Sequence, residues 1–503
     1  MTSNAYVLLA PPPSPPPHHL PSPPPLARPT APAWPLCAGQ EAPRHFGGPH
    51  YRRPPTPFLR LPPHTTTTTT TNLPPPPPPP PPRDTEIAEI PRADMAEAPP
   101  ISGFVRLPGW GPFGAAGCEK IMGIGAAKER DPSLHVPNRF LYQGEPEPPA
   151  RSGHRCIADS ANLYVFGGYN PDFDESGGPG NAEYPLFREL WRYHLATGTW
   201  HRVPTDGYTP KELASMSVVL HGSSLLTFGG TGVPFGESSG NDVNVCNLRS
   251  RCWTRLPSRG RKPSKIYGQA MAIIHGALYV FGGTTGYVYN TDLHRLDLGT
   301  HEWVKLEPCN GRDEMPGERY RHEIAHDDTR IYVLGGGTSW MAYPLDKINA
   351  YNLENNMWEE IMTKPHDKIG FPAARRCHSC VQIGKDVFIC GGYDGERIFG
   401  DLWRLNLGSF QWTKLPAEMP EPAYFHCAAV TPAGCMYVHG GVVSIQENRR
   451  TPSLYRAWLT APSLLELCWE RLLASAPCLA HASPRHLLQL GLSWQLIDRL
   501  RDT

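Results

Sequence analysis

The sequence predicts an all-β fold, a six-bladed β-propeller, with a helical segment behind it. Three observations lead there. Six short apolar runs each end in a double glycine, at 167–168, 229–230, 282–283, 335–336, 391–392 and 440–441, in steps of 62, 53, 53, 56 and 49 residues. A period near 50 residues marks a repeat architecture. Each of the first five units also carries strand-like stretches around that run and a tryptophan near its end (Trp200, Trp253, Trp303, Trp358, Trp412). That makes four strands per unit, the layout of a propeller blade. Behind the sixth unit the apolar spacing changes from two to three and four, the period of a helix.

Within a unit the elements follow a fixed order. A first strand, such as residues 215–220 or 271–274, leads into a turn at His221-Gly222, His275-Gly276 or residues 431–434. The double-glycine strand comes next, reading Leu-Tyr-Val-Phe-Gly-Gly at 163–168 and again at 278–283. Glycine at a strand end suits a place where two backbones approach so closely that only hydrogen fits. A variable loop precedes the third strand (189–195, 291–298, 401–407), and the tryptophan strand ends the unit. The sixth unit is short: residues 453–459 read as its third strand and no tryptophan strand follows. An open sheet edge is a liability, so residues 136–142 are expected to supply the missing strand and close the ring.

The flanks read differently. Residues 1–100 hold 32 of the 60 prolines, a threonine run at 65–71 and a proline run at 74–82. Such a segment buries too little apolar surface to offset chain ordering and is expected to be a disordered tail with local polyproline II. Residues 101–134 read as an irregular linker, 135–460 as the propeller and 461–503 as a helical segment.

The formal net charge is zero, so no overall field draws the chain to nucleic acid or to an anionic membrane. No run of 18 apolar residues is present, and the apolar start lacks a basic flank for a secretory signal. Thirteen scattered cysteines, several at alternating strand positions, fit reduced thiols. The expected setting is cytoplasmic and nuclear, with neither nucleic acid nor membrane as a partner.

Three motifs imitate catalytic sites. His322-Glu323-x-x-His326 is an H-E-x-x-H, but it falls on a strand, where the glutamate points away from both histidines; a zinc protease needs it on a helix. The G-x-S-x-G at 236–240 lies in a loop rather than on a strand-to-helix elbow. Cys377-x-x-Cys380 has no second pair at zinc spacing. No catalytic residue, cofactor or metal is expected.

The double glycine, apolar third strand and tryptophan, recurring in order, resemble the kelch repeat. The C-terminal segment adds a second signature. After Pro462 and Ser463, which can open a helix, Leu464, Leu465, Cys468, Leu472 and Leu473 recur at helical spacing. Ser463-Leu464-x-x-x-Cys468-x-x-x-Leu472 matches the elongin-binding BC box, a helix laid in an apolar groove with Leu464 as anchor and Cys468 small enough for close approach. The bland alternative is a helix that caps the propeller through the same stripe. Residues 476–480 (Ala-Pro477-x-x-Ala) and 483–487 (Ser-Pro484-x-x-Leu487) approximate the second box of Cullin-2 receptors, though neither opens with a large hydrophobic residue.

Together these features resemble the kelch-repeat substrate receptors of Cullin-2 and elongin ubiquitin ligases. The resemblance implies a non-catalytic subunit of an E3 ligase that binds elongin B and elongin C, Cullin-2, and the C-termini of substrate proteins. Relatives hold a terminal carboxylate with arginines and a serine. The serine position falls on Arg376 here, and the loop at 337–341, where relatives carry paired arginines, has none; Arg321 and Arg376 are expected to compensate.

Propellers bind ligands at the channel mouth through loops of several blades. The first strands open with four-residue frames at 151–154, 211–214, 265–268, 319–322, 375–378 and 423–426, whose first and fourth positions recur and so read as scaffold. The variable positions supply Tyr267, Tyr320, Arg321, Arg376, Tyr424 and Phe425 as candidate ligand contacts. The loops after the glycine pairs add Tyr169, Tyr287, Ser339, Trp340, Tyr393 and Arg397. Arginines among aromatics suit a carboxylate, which guanidinium binds bidentately. A propeller scaffold without ligase partners and a kelch-fold copper oxidase are the rival readings.

Overall fold

The computed structural model describes residues 103–107, 147–171, 186–233, 235–311 and 314–501. The proline-rich tail and residues 136–142 lie outside them.

Six antiparallel sheets form the blades. Their inner strands are Arg155–Ala158, Ser217–His221, Ala270–Ile274, Glu323–His326, Ser379–Ile383 and Cys427–Val430, and each lies against the next, the sixth returning to the first. The double-glycine strands pair outside them, for example Asn162–Phe166 and Ala277–Phe281. The five repeated tryptophans are buried between blades. The links into blades 2 and 3 add short parallel strands, Asp206–Gly207 and Arg259–Gly260, on the outer edges.

The sixth blade closes by a route the sequence reading missed. Its third strand, Leu454–Trp458, takes Val105–Arg106 as its outer neighbour, and Leu107 N–H donates to the Leu454 carbonyl at 3.0 Å. The strand expected from 136–142 therefore comes from the segment assigned to the linker. A two-residue strand has no periodicity to detect.

The double glycines have a geometric cause. Their φ angles all lie between +56° and +102°, a region glycine enters freely and other residues enter at a cost. The second glycine of each pair donates to a carbonyl of the next blade: Gly168 to Leu213 (2.7 Å), then Gly230, Gly283, Gly336, Gly392 and Gly441 to Ile266, Arg319, Arg375, Ala423 and Arg151 (each 2.9 Å). The last of these closes the ring. A Cβ on the first glycine would strike that same next blade, as at Gly335, 2.6 Å from the Arg375 carbonyl.

A second closed ring lies beside the first. Gly153, Ser215, Gly268, Arg321, Cys377 and Phe425, one per blade and all with φ of +54° to +68°, pass a backbone hydrogen bond around the channel at 2.7–3.0 Å. This ring corrects the frames. In blades 2 and 3 the equivalent residues are 213–216 and 266–269, not 211–214 and 265–268. Leu213 and Ile266 stand where other blades place Arg151, Arg319 and Arg375, while Lys211 and Lys265 lie just upstream and imitate the pattern.

The helical segment comprises α1 (Leu464–Ser475), a 3-10 turn (Pro477–His481), α2 (Pro484–Gln489) and α3 (Trp494–Asp498). Ser463 caps α1 by accepting from Glu466 N–H at 3.2 Å, and Ser483 caps α2 with Pro484 in its first turn; serine at these positions satisfies an otherwise orphaned donor. Trp469, Ala476, Leu479, Leu487, Ile497 and Leu500 make a small core. Arg456 of blade 6 pairs with Glu470 of α1 at 2.8 Å. A cavity of 510 Å³ separates this segment from the turns of blades 1 and 6, lined on one side by Leu195, Ala196, Thr431 and Pro432 and on the other by Leu465, Trp469 and Leu473. The helices thus sit under the turns that join first to second and third to fourth strands, opposite the glycine-pair loops.

Candidate functional site

The channel mouth is built on the second ring. A residue at positive φ turns the chain at the head of each inner strand, and the residue before it pairs with the loop beyond the glycine pair: Tyr267 with Thr284, Tyr320 with Gly337, Arg376 with Tyr393, Tyr424 with Val442. The fold therefore brings the variable frame positions and the loop positions to one face.

Two arginines dominate it. Arg321 is 7 % exposed; its Nη2 donates to Ser215 Oγ of blade 2, its guanidinium lies 4.4 Å from the Phe425 ring, and its Nε has no partner. Burial pushes its pKa down to about 10. Arg376, also buried, donates to the carbonyls of Thr338 and, at 3.4 Å, Met341, in the loop of blade 4 that lacks the relatives' arginines. Neither has a carboxylate partner among the described residues. They sit on adjacent blades, since Cys377 N–H, next in sequence to Arg376, donates to the Arg321 carbonyl at 2.9 Å. A buried guanidinium held only by neutral acceptors is primed for an anion.

Below the ring the channel is tied across. Arg155 of blade 1 pairs with Glu323 of the opposite blade 4 at 2.8 Å, and its Nε donates to the Met216 carbonyl at 3.1 Å. The Glu323 carboxylate is thus already neutralised, leaving Arg321 and Arg376 as excess positive charge.

The remaining expected residues separate into walls and rim. Tyr393 stacks on Tyr424 with centroids 5.0 Å apart, and both are buried. Tyr169 lies under Arg450, whose guanidinium is 5.1 Å from its ring. Tyr267 is buried, which pushes its phenol up to about 12, while Tyr320 is half-buried against Tyr289. Tyr287 and Trp340 stand 80 % and 82 % exposed, beside exposed Ser339, while Arg397 reaches outward, paired with Asp394 at 3.4 Å. Phe425 builds the mouth from the positive-φ slot. Ser215, Tyr289 and Arg450 also build it and were not singled out; Ser215 occupies the same slot in blade 2, which a correct register of that frame would have exposed.

On the opposite face α1 divides its apolar residues. Trp469 is buried and Leu473 packs beside it, while Leu464, Leu465, Leu467 and Leu472 are 76, 52, 49 and 36 % exposed and Cys468 is exposed with them. Leu464, Cys468 and Leu472, four residues apart, share the outward face. The stripe expected as one face therefore splits, and the BC-box residues are the more exposed half. Pro477 is exposed and Pro484 half-buried, whereas Leu487 is 1 % exposed and belongs to the helical core, so its side chain is not available at the surface.

The imitations of catalytic motifs take structural places. Glu323 of the H-E-x-x-H is the channel tie, Ser238 lies in the blade 2 loop, and Cys377 is a ring residue. His154, Cys156 and His439 are buried with donor atoms within 4.8 Å of one another, and His154 Nε2 lies 3.1 Å from His439 Nδ1. His154 sits under Gly440 as His322, His378 and His426 sit under Gly282, Gly335 and Gly391, so its position is that of a repeated packing residue.

Comparison with known proteins agrees with this architecture. The family model described as the KLHDC2/KLHL20/DRC7 Kelch-repeats domain matches residues 138–336 and 307–475. Kelch domain-containing protein 10 of Xenopus laevis is 71 % identical over 370 residues, 74 % of this chain and 90 % of the relative. The Homo sapiens protein of that name is 71 % identical over 74 % of this chain and 84 % of its own length. The Drosophila melanogaster Kelch domain-containing protein 10 homolog is 40 % identical over 73 % of this chain and 63 % of its own length.

Proposed function

This chain belongs to the Kelch domain-containing protein 10 family of kelch protein-interaction scaffolds, and on that premise we propose that it is the non-catalytic substrate receptor of a Cullin-2 RING ubiquitin ligase. The propeller mouth takes the C-terminus of a substrate protein, and α1 docks elongin B and elongin C. The observation that carries this reading is the outward face of α1. Leu464, Cys468 and Leu472 lie exposed on one side of the helix, while Trp469 is buried in the small core and Leu473 packs beside it. An apolar stripe left open on a helix that is otherwise anchored suits the helix-in-groove mode of recognition.

At the mouth, the terminal carboxylate is the ligand group that answers two buried guanidiniums lacking a carboxylate of their own. The Arg155–Glu323 tie bounds the depth available, which favours a small terminal residue. Pro477, exposed on the turn after α1, is our candidate contact for the cullin.

The test is recovery of elongins B and C with the purified chain. They should co-purify with the wild type and be lost from Leu464→Ala combined with Cys468→Phe, at unchanged melting temperature. A scaffold without ligase partners would give no elongin with either protein. For the mouth, Arg321→Ala should weaken binding of a free C-terminal peptide roughly 10- to 100-fold, the worth of a charge-assisted hydrogen bond. An amidated peptide should bind poorly to both proteins.

A further inference from the structure

The mouth is not uniform around its circumference, and the asymmetry points to the character of the chain that crosses it. The loops of blades 3 and 4, residues 284–290 and 337–343, contain no charged residue. They hold Tyr287, Val288, Trp340 and Met341 at 80, 59, 82 and 48 % exposure, and Val233 of blade 2 continues the row at 52 %. The loops of blades 5 and 6 are the reverse, with Asp394, Glu396, Arg397, Glu447, Arg449 and Arg450.

The apolar row is held as one surface. Gly286 of blade 3 packs so closely on Gly236 of blade 2 that a Cβ there would lie 2.8 Å from the Gly236 carbonyl oxygen. Between blades 3 and 4, the Tyr289 hydroxyl bonds Ser339 Oγ and accepts from Ser339 N–H at 3.0 Å. The row is also continuous with the buried cations, because Arg376 donates to Thr338 and Met341 on either side of Trp340. A fixed aromatic surface binds at little cost in side-chain ordering.

Resting on the reading of the mouth as a carboxylate site, we propose that the bound tail leaves the channel over blades 2–4. There its residues upstream of the terminus are uncharged and carry an aromatic or branched aliphatic side chain that packs between Tyr287 and Trp340. Charged residues in that stretch are rejected where they meet the loops of blades 3 and 4, which offer them no charged partner and would strip them of water. The specificity of the receptor is then a joint reading: an anion at Arg321 and Arg376, and an apolar segment several residues before it.

The experiment captures random decapeptides on the immobilised full chain, as a free-acid library and as the same library C-terminally amidated, and sequences what is retained. The inference predicts enrichment of Trp, Phe, Leu and Val and depletion of charge at positions three to six from the end of the retained free acids. It also predicts loss of that enrichment, with about tenfold weaker binding of the best peptide, in Tyr287→Ser combined with Trp340→Ser. Both residues are exposed, and an unchanged melting temperature confirms that the variant is folded. Flat composition at those positions, or enrichment that survives in the variant, overturns the inference while leaving the carboxylate reading intact. Equal retention of both libraries sinks the carboxylate reading instead, and retention of neither overturns both. A wild-type dimer in sedimentation that the variant dissolves would assign the surface to a second copy of this chain and overturn it as well.

Discussion

The propeller and the helical segment treat the same kinds of side chain in opposite ways. In the blades, Leu163, Leu278, Val387 and Leu405 are completely buried, and each has a counterpart at the same place in other blades. In α1, Leu464 is three-quarters exposed and has no counterpart anywhere. Arginines divide along the same line. Arg151, Arg319 and Arg375 repeat, and each is tied to its own first-glycine carbonyl at 3.0–3.1 Å and capped by an aromatic ring. Arg321 and Arg376 do not repeat, and they hold only neutral acceptors. Repetition marks scaffold; departure from it marks the places left for a partner.

The comparison breaks most visibly if a repeated position proves dispensable. Gly335→Ala places a Cβ 2.6 Å from the next blade's backbone at a φ of +56°. It should cost on the order of 3 kcal/mol or more, read as a large fall in melting temperature. Gly384, at φ +57° but facing open space, is the control: Gly384→Ala should cost about 1 kcal/mol, the strain alone. Similar effects at the two sites would remove close approach as the reason for the double glycine.

Next in size is the buried pair of Arg375 and Asp401, 2.7 Å apart. Arg375→Met leaves the Gly391 carbonyl without its side-chain donor and Asp401 without its cation, holding only the Trp403 indole N–H, and should destabilise by about 3–5 kcal/mol in a denaturant titration. A loss below about 1 kcal/mol would place this arginine with ordinary surface charges.

The buried histidines give the propeller an acid sensitivity. Burial holds His322 and His439 down to about 3 and His426 to about 4, against an ordinary value of 6.5. Each is neutral in the fold, whereas the unfolded chain takes up a proton below pH 6.5. Their contribution is therefore complete above that pH and is lost as pH falls toward the folded values, by about 1.4 kcal/mol per unit for each. Stability measured from pH 7 to 5 should fall steeply, and less steeply in His426→Gln; a flat profile would contradict the burial assigned to these rings.

Smaller still is the closing strand. Removing residues up to 107 uncovers the edge of Leu454–Trp458 and should lower the melting temperature by a few degrees. No change would mean that Val105–Arg106 contributes nothing to closure.

What the sequence disclosed follows from the same division. The glycine pairs, in six copies, the tryptophans, in five, and the frame arginines, in three, were legible because each repeats one structural demand. The registers of blades 2 and 3 were not, because Leu213 and Ile266 carry no polar mark there and nearby lysines supply a false one. The closing strand left no trace, being too short to alternate. At the mouth, the arginines and aromatics stood out by type, whereas Ser215 was hidden by the false register of blade 2. In the helical segment the apolar stripe was visible, but its division into a packed and an open half depends on where Trp469, Leu473 and Leu487 meet the core.

The most direct test of the account is the light-scattering mass of the purified full chain mixed with purified elongin B–C. A stable complex containing one copy of each, abolished by Leu464→Ala with Cys468→Phe while the melting temperature stays the same, is the result predicted here. Separate elution of the wild-type chain and the elongins, or a complex that survives the substitutions, would contradict it.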